Sequence, residues 1–212
     1  LNIIYFTYSF NFKIPKKFVY FAAQFQPEAT SCPDAGLYND NINIIKNVRK
    51  YIPDDVTIVY KEHPACFNPS PNLYGDIRRS YNYYKEISKV KNVVFSKLNF
   101  DSFKLMDKSI FCLTVAGQLG FESSIRNNYC VVLSRTWYKN FPNIIYIKKL
   151  QDIKNKYKKI LNKKKINPNP DTLRKSIGIY LNKSLKSNIC YDKYMHDIND
   201  VNKVSNYLKK SL

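Results

Sequence analysis

Two of the five glycines in this chain, Gly117 and Gly120, lie close together in the sequence. The apolar run 110–115 before them predicts a buried strand, and residues 121–127 after them predict the start of a helix. A strand, a glycine turn and a helix N-terminus can form an anion site, because free N–H groups and the helix dipole point at one place. We expect these N–H groups to hold phosphate and Glu122 to accept hydrogen bonds from sugar hydroxyls. The same pattern also fits a turn with a purely structural role.

Polar residues collect where three predicted strands end. The first exit carries Gln24, Gln26, Glu28, Thr30 and Ser31, the second carries Lys61, Glu62, His63 and Pro64, and the third carries Thr114, Gly117, Gln118 and Gly120. The carboxyl ends of parallel strands meet at one edge of a sheet, where α/β proteins bind their ligands. We therefore expect the three groups to share one rim.

Strands and helices alternate along the part of the chain that would position these residues. Strands are predicted at 18–24, 57–60, 93–95, 110–115, 130–133 and 144–147, and helices at 37–51, 76–88, 102–108 (capped by Asp101), 121–127 and from 150 onward. Apolar strands that alternate with helices predict an α/β, Rossmann-like parallel sheet with helices on both faces. We expect a connecting segment at 1–15, a Rossmann-like domain at 16–150, and a basic helical segment at 151–212 packed on that domain.

Composition narrows the class of protein. A hydrophobic content of 44% in 212 residues indicates a folded chain, and no apolar run is long enough to span a bilayer. Its five scattered cysteines form no C-x-x-C pair, which favours reduced thiols in a cytoplasmic protein. The net charge of +19 favours polyanionic partners, including the inner face of an anionic membrane. Its densest lysine run, 148–165, also fits a solvated helix face.

Three segments together resemble a known bacterial family. They are FVYFAAQFQPEAT at 18–30, VYKEHP at 59–64 and TVAGQLGFE at 114–122. This order is similar to the capsule and surface polysaccharide biosynthesis proteins, which include Kdo transferases, and the resemblance covers about residues 15–150. It implies the C-terminal, nucleotide-sugar-binding half of a GT-B glycosyltransferase, with an N-terminal acceptor domain missing from a chain that begins at Leu1. Gln118 and Ser123 depart from the family pattern, where a small hydroxyl residue and alanine are usual.

The resemblance also implies roles for the rim residues. His63 would donate an N–H to the departing donor phosphate, Lys61 would add positive charge, and Glu28 would orient the sugar. The donor would be a CMP-, CDP- or UDP-linked sugar, and the acceptor a polysaccharide or glycolipid. The alternatives left open by the residues are that His63 only holds its loop, that Lys61 is solvated, that Glu62 pairs with a lysine, and that Glu28 only pins the first loop. We expect no cofactor and no metal, and the sequence identifies no acceptor base.

Other functions fit the same pattern. A close rival is transfer of an alditol phosphate from a CDP-linked donor, as in teichoic-acid polymerases. A basic, non-catalytic module of a capsule assembly complex is a second alternative. The charge also allows nucleic-acid binding, but the tyrosines and lysines form no RNP-like, zinc-finger or helix-turn-helix pattern.

Overall fold

The computed structural model describes residues 2–26, 35–67, 79–162 and 170–183. Its strands are Phe18–Ala22 (β1), Thr57–Lys61 (β2), Val93–Phe95 (β3), Cys112–Thr114 (β4), Cys130–Val132 (β5) and Ile144–Tyr146 (β6). Its α-helices are Asn2–Ser9 (α1), Asn41–Tyr51 (α2), Tyr81–Ser88 (α3), Ser102–Lys108 (α4), Leu119–Ile125 (α5), Ile153–Asn162 (α6) and Pro170–Lys183 (α7). Backbone contacts divide the chain into two compact units, Leu1–Asn169 and Pro170–Leu212.

The first unit is built on one parallel sheet with the strand order β3-β2-β1-β4-β5-β6. The first strand, β1, lies near the centre of the sheet. Strands β2 and β3 are then added on one side of it, and the chain crosses back to place β4 on the other side of β1. The strand order therefore reverses between β1 and β4, which creates a crevice at the carboxyl ends of these two strands. The predicted α/β parallel sheet is confirmed, with β6 as an edge strand.

The sheet is buried on both faces. Val19 and Phe21 of β1 point into a core shared with residues of α1, α2, α3 and α6, and both are 0% exposed. The alternating residues Phe18 and Tyr20 point to the opposite face and are also buried, at 0% and 2% exposed. Burial of both alternating sets explains why β1 is apolar throughout instead of alternating between apolar and polar.

Side-chain caps fix the starts of two helices. The predicted Asp101 cap of α4 is confirmed, because its carboxylate accepts the Phe103 N–H at 2.8 Å. Helix α2 starts at Asn41, later than the sequence pattern predicts. Its cap, Asp40, accepts N–H groups of the first turn, and a short 3-10 helix at Gly36–Tyr38 occupies part of the predicted range. Both caps satisfy backbone donors that a helix leaves open at its N-terminus.

The segment 1–15 contains α1, which contributes to the core. Tyr5 of this helix is 0% exposed, and its hydroxyl donates to the Ser96 carbonyl at 2.6 Å. At the other end, α6 belongs to the first unit and α7 to the second, while residues 184–212 lie outside the described part of the chain. Within the described ranges, no helix has the length and apolar character to cross a membrane.

Candidate functional site

A cavity of about 470 Å³ opens at the carboxyl ends of β1, β2 and β4. It lies where the strand order reverses, the usual position of a ligand site in such a sheet. Nine of the predicted site residues line it: Gln24, Lys61, Glu62, His63, Pro64, Thr114, Gly117, Gln118 and Glu122. Tyr20, Ala22, Ala23, Phe25, Ser102 and Leu119 complete the lining. Its volume falls in the range of about 300–1,000 Å³ that is typical of small-molecule sites.

The strand register explains how three distant segments meet in this cavity. In the β1–β2 pair, Ala22 lies opposite Lys61, the last residue of β2. In the β1–β4 pair, Phe21 lies opposite Leu113, one residue before the end of β4. The three strands therefore end at nearly the same level, and the residues that follow them emerge side by side.

His63 has one ring nitrogen bound within its own loop. Its Nδ1 accepts the Ala65 N–H at 3.2 Å, at the start of the 3-10 helix Pro64–Phe67. A neutral imidazole with Nδ1 as acceptor carries its proton on Nε2. The side chain is exposed and lies beside Phe25, with 5.7 Å between ring centroids. His63 thus both holds its loop and presents an N–H donor, so the two interpretations of this residue are compatible.

Lys61 is buried, in contrast to the solvated lysine that the sequence also allowed. The residue is 7% exposed, and its ammonium donates to the Phe100 carbonyl and to Ser102 Oγ. Burial lowers the pKa of this ammonium, against the opposing charge of Asp101. Both hydrogen-bond acceptors are uncharged, so the positive charge at the cavity wall is not neutralised by a bonded carboxylate. Such a group favours an anionic ligand.

Glu62 pairs with an arginine, where the sequence allowed a lysine partner. Its carboxylate lies 3.0 Å from Arg79 Nε, and the two side chains are 0% and 5% exposed. The carboxylate also accepts the Tyr60 hydroxyl at 2.5 Å and the His63 N–H at 2.9 Å. Burial and the charge of Glu62 raise the pKa of Tyr60, which keeps this phenol protonated as a donor. The Glu62 charge is therefore directed away from the cavity and into the protein.

The glycine turn offers fewer open N–H groups than the sequence pattern suggested. Thr114 Oγ1 accepts the Gly117 N–H at 3.2 Å. With its amide oxygen facing the turn, Gln24 accepts the N–H groups of Ala116 and Gly117, each at 3.2 Å. The N–H groups of Gln118 and Leu119 have no acceptor among the described residues, and both residues line the cavity. The open N–H groups of the turn therefore lie one and two residues after Gly117.

Gly120 is a glycine for packing reasons. It is absent from the described cavity lining, and a Cβ at this position would lie 2.4 Å from Cε2 of Tyr138. Tyr138 is 1% exposed, and its hydroxyl donates to the Gly117 carbonyl. The close approach of this ring to α5 requires a residue without a side chain.

The remaining predicted residues lie beside or outside the described cavity. Gln26 is absent from the described lining; its Oε1 accepts from Arg79 at 2.7 Å, and its amide donates to the Asn39 carbonyl. Glu28, Thr30 and Ser31 lie outside the described residues. Sequence reasoning missed the lining residues Tyr20 and Ser102 because one belongs to an apolar strand and the other begins a helix. Within the described ranges, no group of three or more His, Cys, Asp or Glu side chains could hold a metal ion.

No protein-family model matches the chain, and no curated protein matches it. Among solved structures, it is similar to KpsC, a beta Kdo 2,7 transferase from Thermosulfurimonas dismutans, with a TM-score of 0.46 and 18% identity over 71% of this chain and 47% of that one. It is also similar to UDP-GlcNAc 2-epimerase from Methanocaldococcus jannaschii, with a TM-score of 0.47 and 17% identity over 85% of this chain and 49% of that one. A third similar structure, S. aureus MnaA with UDP, has a TM-score of 0.43 and 18% identity over 73% of this chain and 42% of that one.

The chain thus spans about half of the length, or less, of these three proteins. With TM-scores below 0.5, the similarities assign neither an activity nor a family to the chain.

Proposed function

We propose that the chain binds a nucleotide sugar in the cavity at the ends of β1, β2 and β4, as the donor half of a GT-B glycosyltransferase. The observation that carries this proposal is that residues from three motifs, far apart in the sequence, line one cavity where the strand order reverses. The resemblance of the same three motifs to capsule and surface polysaccharide biosynthesis proteins suggests the reaction: transfer of a Kdo-like sugar to a polysaccharide or glycolipid.

The phosphate of the nucleotide sugar would be held by a positive charge and by N–H groups that have no other acceptor. Lys61 brings a buried ammonium to the cavity wall, and the N–H groups of Gln118 and Leu119 have no acceptor among the described residues. His63 would add its Nε2–H. Negative charge grows on the phosphate as the bond to the anomeric carbon breaks, so these donors would stabilise the transition state more than the bound donor.

Glu122 would bind the ribose hydroxyls of the nucleotide. It lies on the first turn of α5 and lines the same cavity as Gln118. A carboxylate accepts hydrogen bonds from two neighbouring hydroxyl groups, and it does not compete for the phosphate. Glu28, Thr30 and Ser31 remain proposed contacts to the sugar or its loop.

The acceptor and its general base would come from outside this chain. The proposed donor site supplies leaving-group stabilisation, and the acceptor hydroxyl would be deprotonated by a residue of the other GT-B half. Lys154, Lys158 and Lys159 are exposed on α6, opposite its buried residues Ile153, Tyr157 and Ile160, and would hold the protein against an anionic inner membrane.

Calorimetric titration with CMP, CDP and UDP tests the proposal, using the native chain and two His63 variants. His63→Asn keeps an acceptor near the position of Nδ1 for the Ala65 N–H but lacks the distal donor. His63→Gln keeps a donor near the position of Nε2. We expect one nucleotide to bind the native chain at micromolar level, and affinity to fall about tenfold or more in His63→Asn but less in His63→Gln.

Two outcomes would contradict the proposal. One is that none of the three nucleotides binds the folded native chain. The other is that His63→Asn and His63→Gln bind as tightly as the native chain. Binding of CDP-linked glycerol or ribitol in preference to any sugar nucleotide would replace the sugar donor with an alditol phosphate donor at the same cavity.

A further inference from the structure

Arg79 is a buried cation whose acceptors belong to segments that line or adjoin the cavity. Its guanidinium contacts Glu62 through two nitrogens, Nε to Oε2 at 3.0 Å and a terminal nitrogen to Oε1 at 3.3 Å. Its side chain is 5% exposed, and its guanidinium carbon lies 4.5 Å from the ring centroid of Tyr83. A buried ion pair often adds little net stability, because both charges lose their hydration. Its geometry therefore points to a role in orienting its neighbours.

The other donors of Arg79, which lies just before α3, contact the segment that follows β1. One terminal nitrogen donates to Gln26 Oε1 at 2.7 Å, and the other donates to the Gln24 carbonyl at 2.9 Å. A single planar group thus connects the exits of two strands. A lysine could not make these contacts, because its ammonium lacks the planar fork of five donors.

Glu62 carries this connection to His63. While one carboxylate oxygen faces Arg79 Nε, the other accepts the His63 backbone N–H at 2.9 Å. Tyr84 also donates to the carboxylate, at 3.2 Å. The carboxylate is therefore fixed by groups from several elements, and it fixes the backbone from which the His63 ring projects.

Gln24 carries the connection to the glycine turn. Its carbonyl is held by Arg79, and its side-chain amide, assigned with the oxygen toward the turn, accepts the N–H groups of Ala116 and Gly117 at 3.2 Å. Arg79 is consequently linked to all three cavity-lining segments: to β1 directly, to β2 through Glu62, and to β4 through Gln24. Arg79 itself is absent from the described cavity lining.

We propose that Arg79 is a positioning residue, which holds the segments after β1, β2 and β4 in the arrangement that binds the donor nucleotide. The inference rests on the proposed function for its ligand, but its effect on the three segments does not depend on a ligand. An ion pair with a purely structural role would stabilise the fold as a whole. A positioning residue would instead keep the three segments that line the cavity in one conformation.

Hydrogen exchange of backbone amides, without nucleotide, is the first test. Arg79→Lys keeps the charge opposite Glu62 but loses the fork, and Gln26→Met removes one acceptor of Arg79. Gln151→Met, at an exposed position, is the control. We expect both test variants to speed exchange at His63, Ala116 and Gly117 while the central strands keep native protection, and the control to behave as the native chain. Unchanged exchange at these three amides, or equal acceleration throughout the core, would overturn the proposal.

Nucleotide titration of the same variants is the second test, with CMP, CDP and UDP as probes. Loss of one charged hydrogen bond that orients the site is expected to weaken affinity about tenfold. Gln26→Met is the milder change, so its affinity tests the role of Arg79 if Arg79→Lys does not fold. Native affinity in a folded Gln26→Met with accelerated exchange would show that Arg79 does not position the binding groups. If the native chain binds no nucleotide, the proposed function fails, and the exchange measurement alone decides the role of Arg79.

Discussion

Replacement of Gly120 by alanine is predicted to destabilise the protein, although alanine is the better helix former. The new Cβ would lie 2.4 Å from Cε2 of Tyr138 and 2.8 Å from its Cζ and hydroxyl. The ring is 1% exposed, so it has no open space into which to retreat. Overpacking of this kind costs about 1–3 kcal/mol.

Two smaller contributions to the free energy of unfolding nearly cancel. Displacing the ring of Tyr138 breaks the hydrogen bond from its hydroxyl to the Gly117 carbonyl, which costs about 1 kcal/mol. Alanine in place of glycine within a helix gains about 1 kcal/mol. We therefore expect Gly120→Ala to lower the free energy of unfolding by about 1–3 kcal/mol, mainly through the steric contact.

Urea denaturation of Gly120→Ala and of a matched helix glycine gives the assay. Gly178 lies within α7, and a Cβ there would meet no atom of the described residues within 4 Å. Gly178→Ala is expected to leave stability unchanged or to raise it by up to about 1 kcal/mol. A Gly120→Ala variant that is as stable as the native chain, or that gains stability as Gly178→Ala does, would contradict a steric contact with Tyr138.

Three further predictions concern single contacts. Burial lowers the pKa of Lys61 from 10.5, so the unfolded chain binds more protons there and the native chain gains stability as the pH rises toward 10.5. Urea unfolding of Lys61→Met should lack this gain, while its affinity for the nucleotide falls; an equal pH dependence in both proteins would contradict this. Asp40→Ala should lose about 1 kcal/mol of unfolding free energy, and Asp40→Asn less, because the amide still caps α2. Thr114→Val should lose up to about 1 kcal/mol of unfolding free energy, because the Gly117 N–H then keeps only its Gln24 acceptor, and a native urea midpoint would argue against the bond to Thr114.

The sheet was predictable from sequence because each strand is a short apolar run bounded by polar residues. Strand β3, at Val93–Phe95, has the predicted bounds, and so does α4, at Ser102–Lys108. Parallel strands end at the same edge of a sheet, so the shared rim could be predicted without knowing any individual contact.

The partners of the site residues were not predictable in the same way. Glu62 and Arg79 are 17 residues apart in the sequence, and neither local periodicity nor spacing indicates that they pair. Tyr138 lies in the segment after β5, so its approach to Gly120 exists only in the folded chain. Burial of Lys61 likewise depends on the Phe100 carbonyl and Ser102 of the following segment.

The residues that adopt positive φ at turns were also difficult to predict, because the chain contains few glycines. Asn92, Asn127 and Asn143 adopt positive φ values of 55°, 60° and 62°, each shortly before a strand. Asparagine tolerates this left-handed conformation better than most residues, so it takes the place that glycine usually occupies. An asparagine-rich sequence gives little indication of which asparagines do so.

Amide chemical-shift mapping during nucleotide titration tests the location of the site most directly. We expect the nucleotide with the highest affinity to shift the amides of Gln118 and Leu119, together with those of His63 and Ala65. The amides of Lys154 and Lys159, at the basic face of α6, should remain unchanged and serve as the internal control. Shifts confined to α6, with none at the ends of β2 and β4, would contradict a nucleotide site where the strand order reverses.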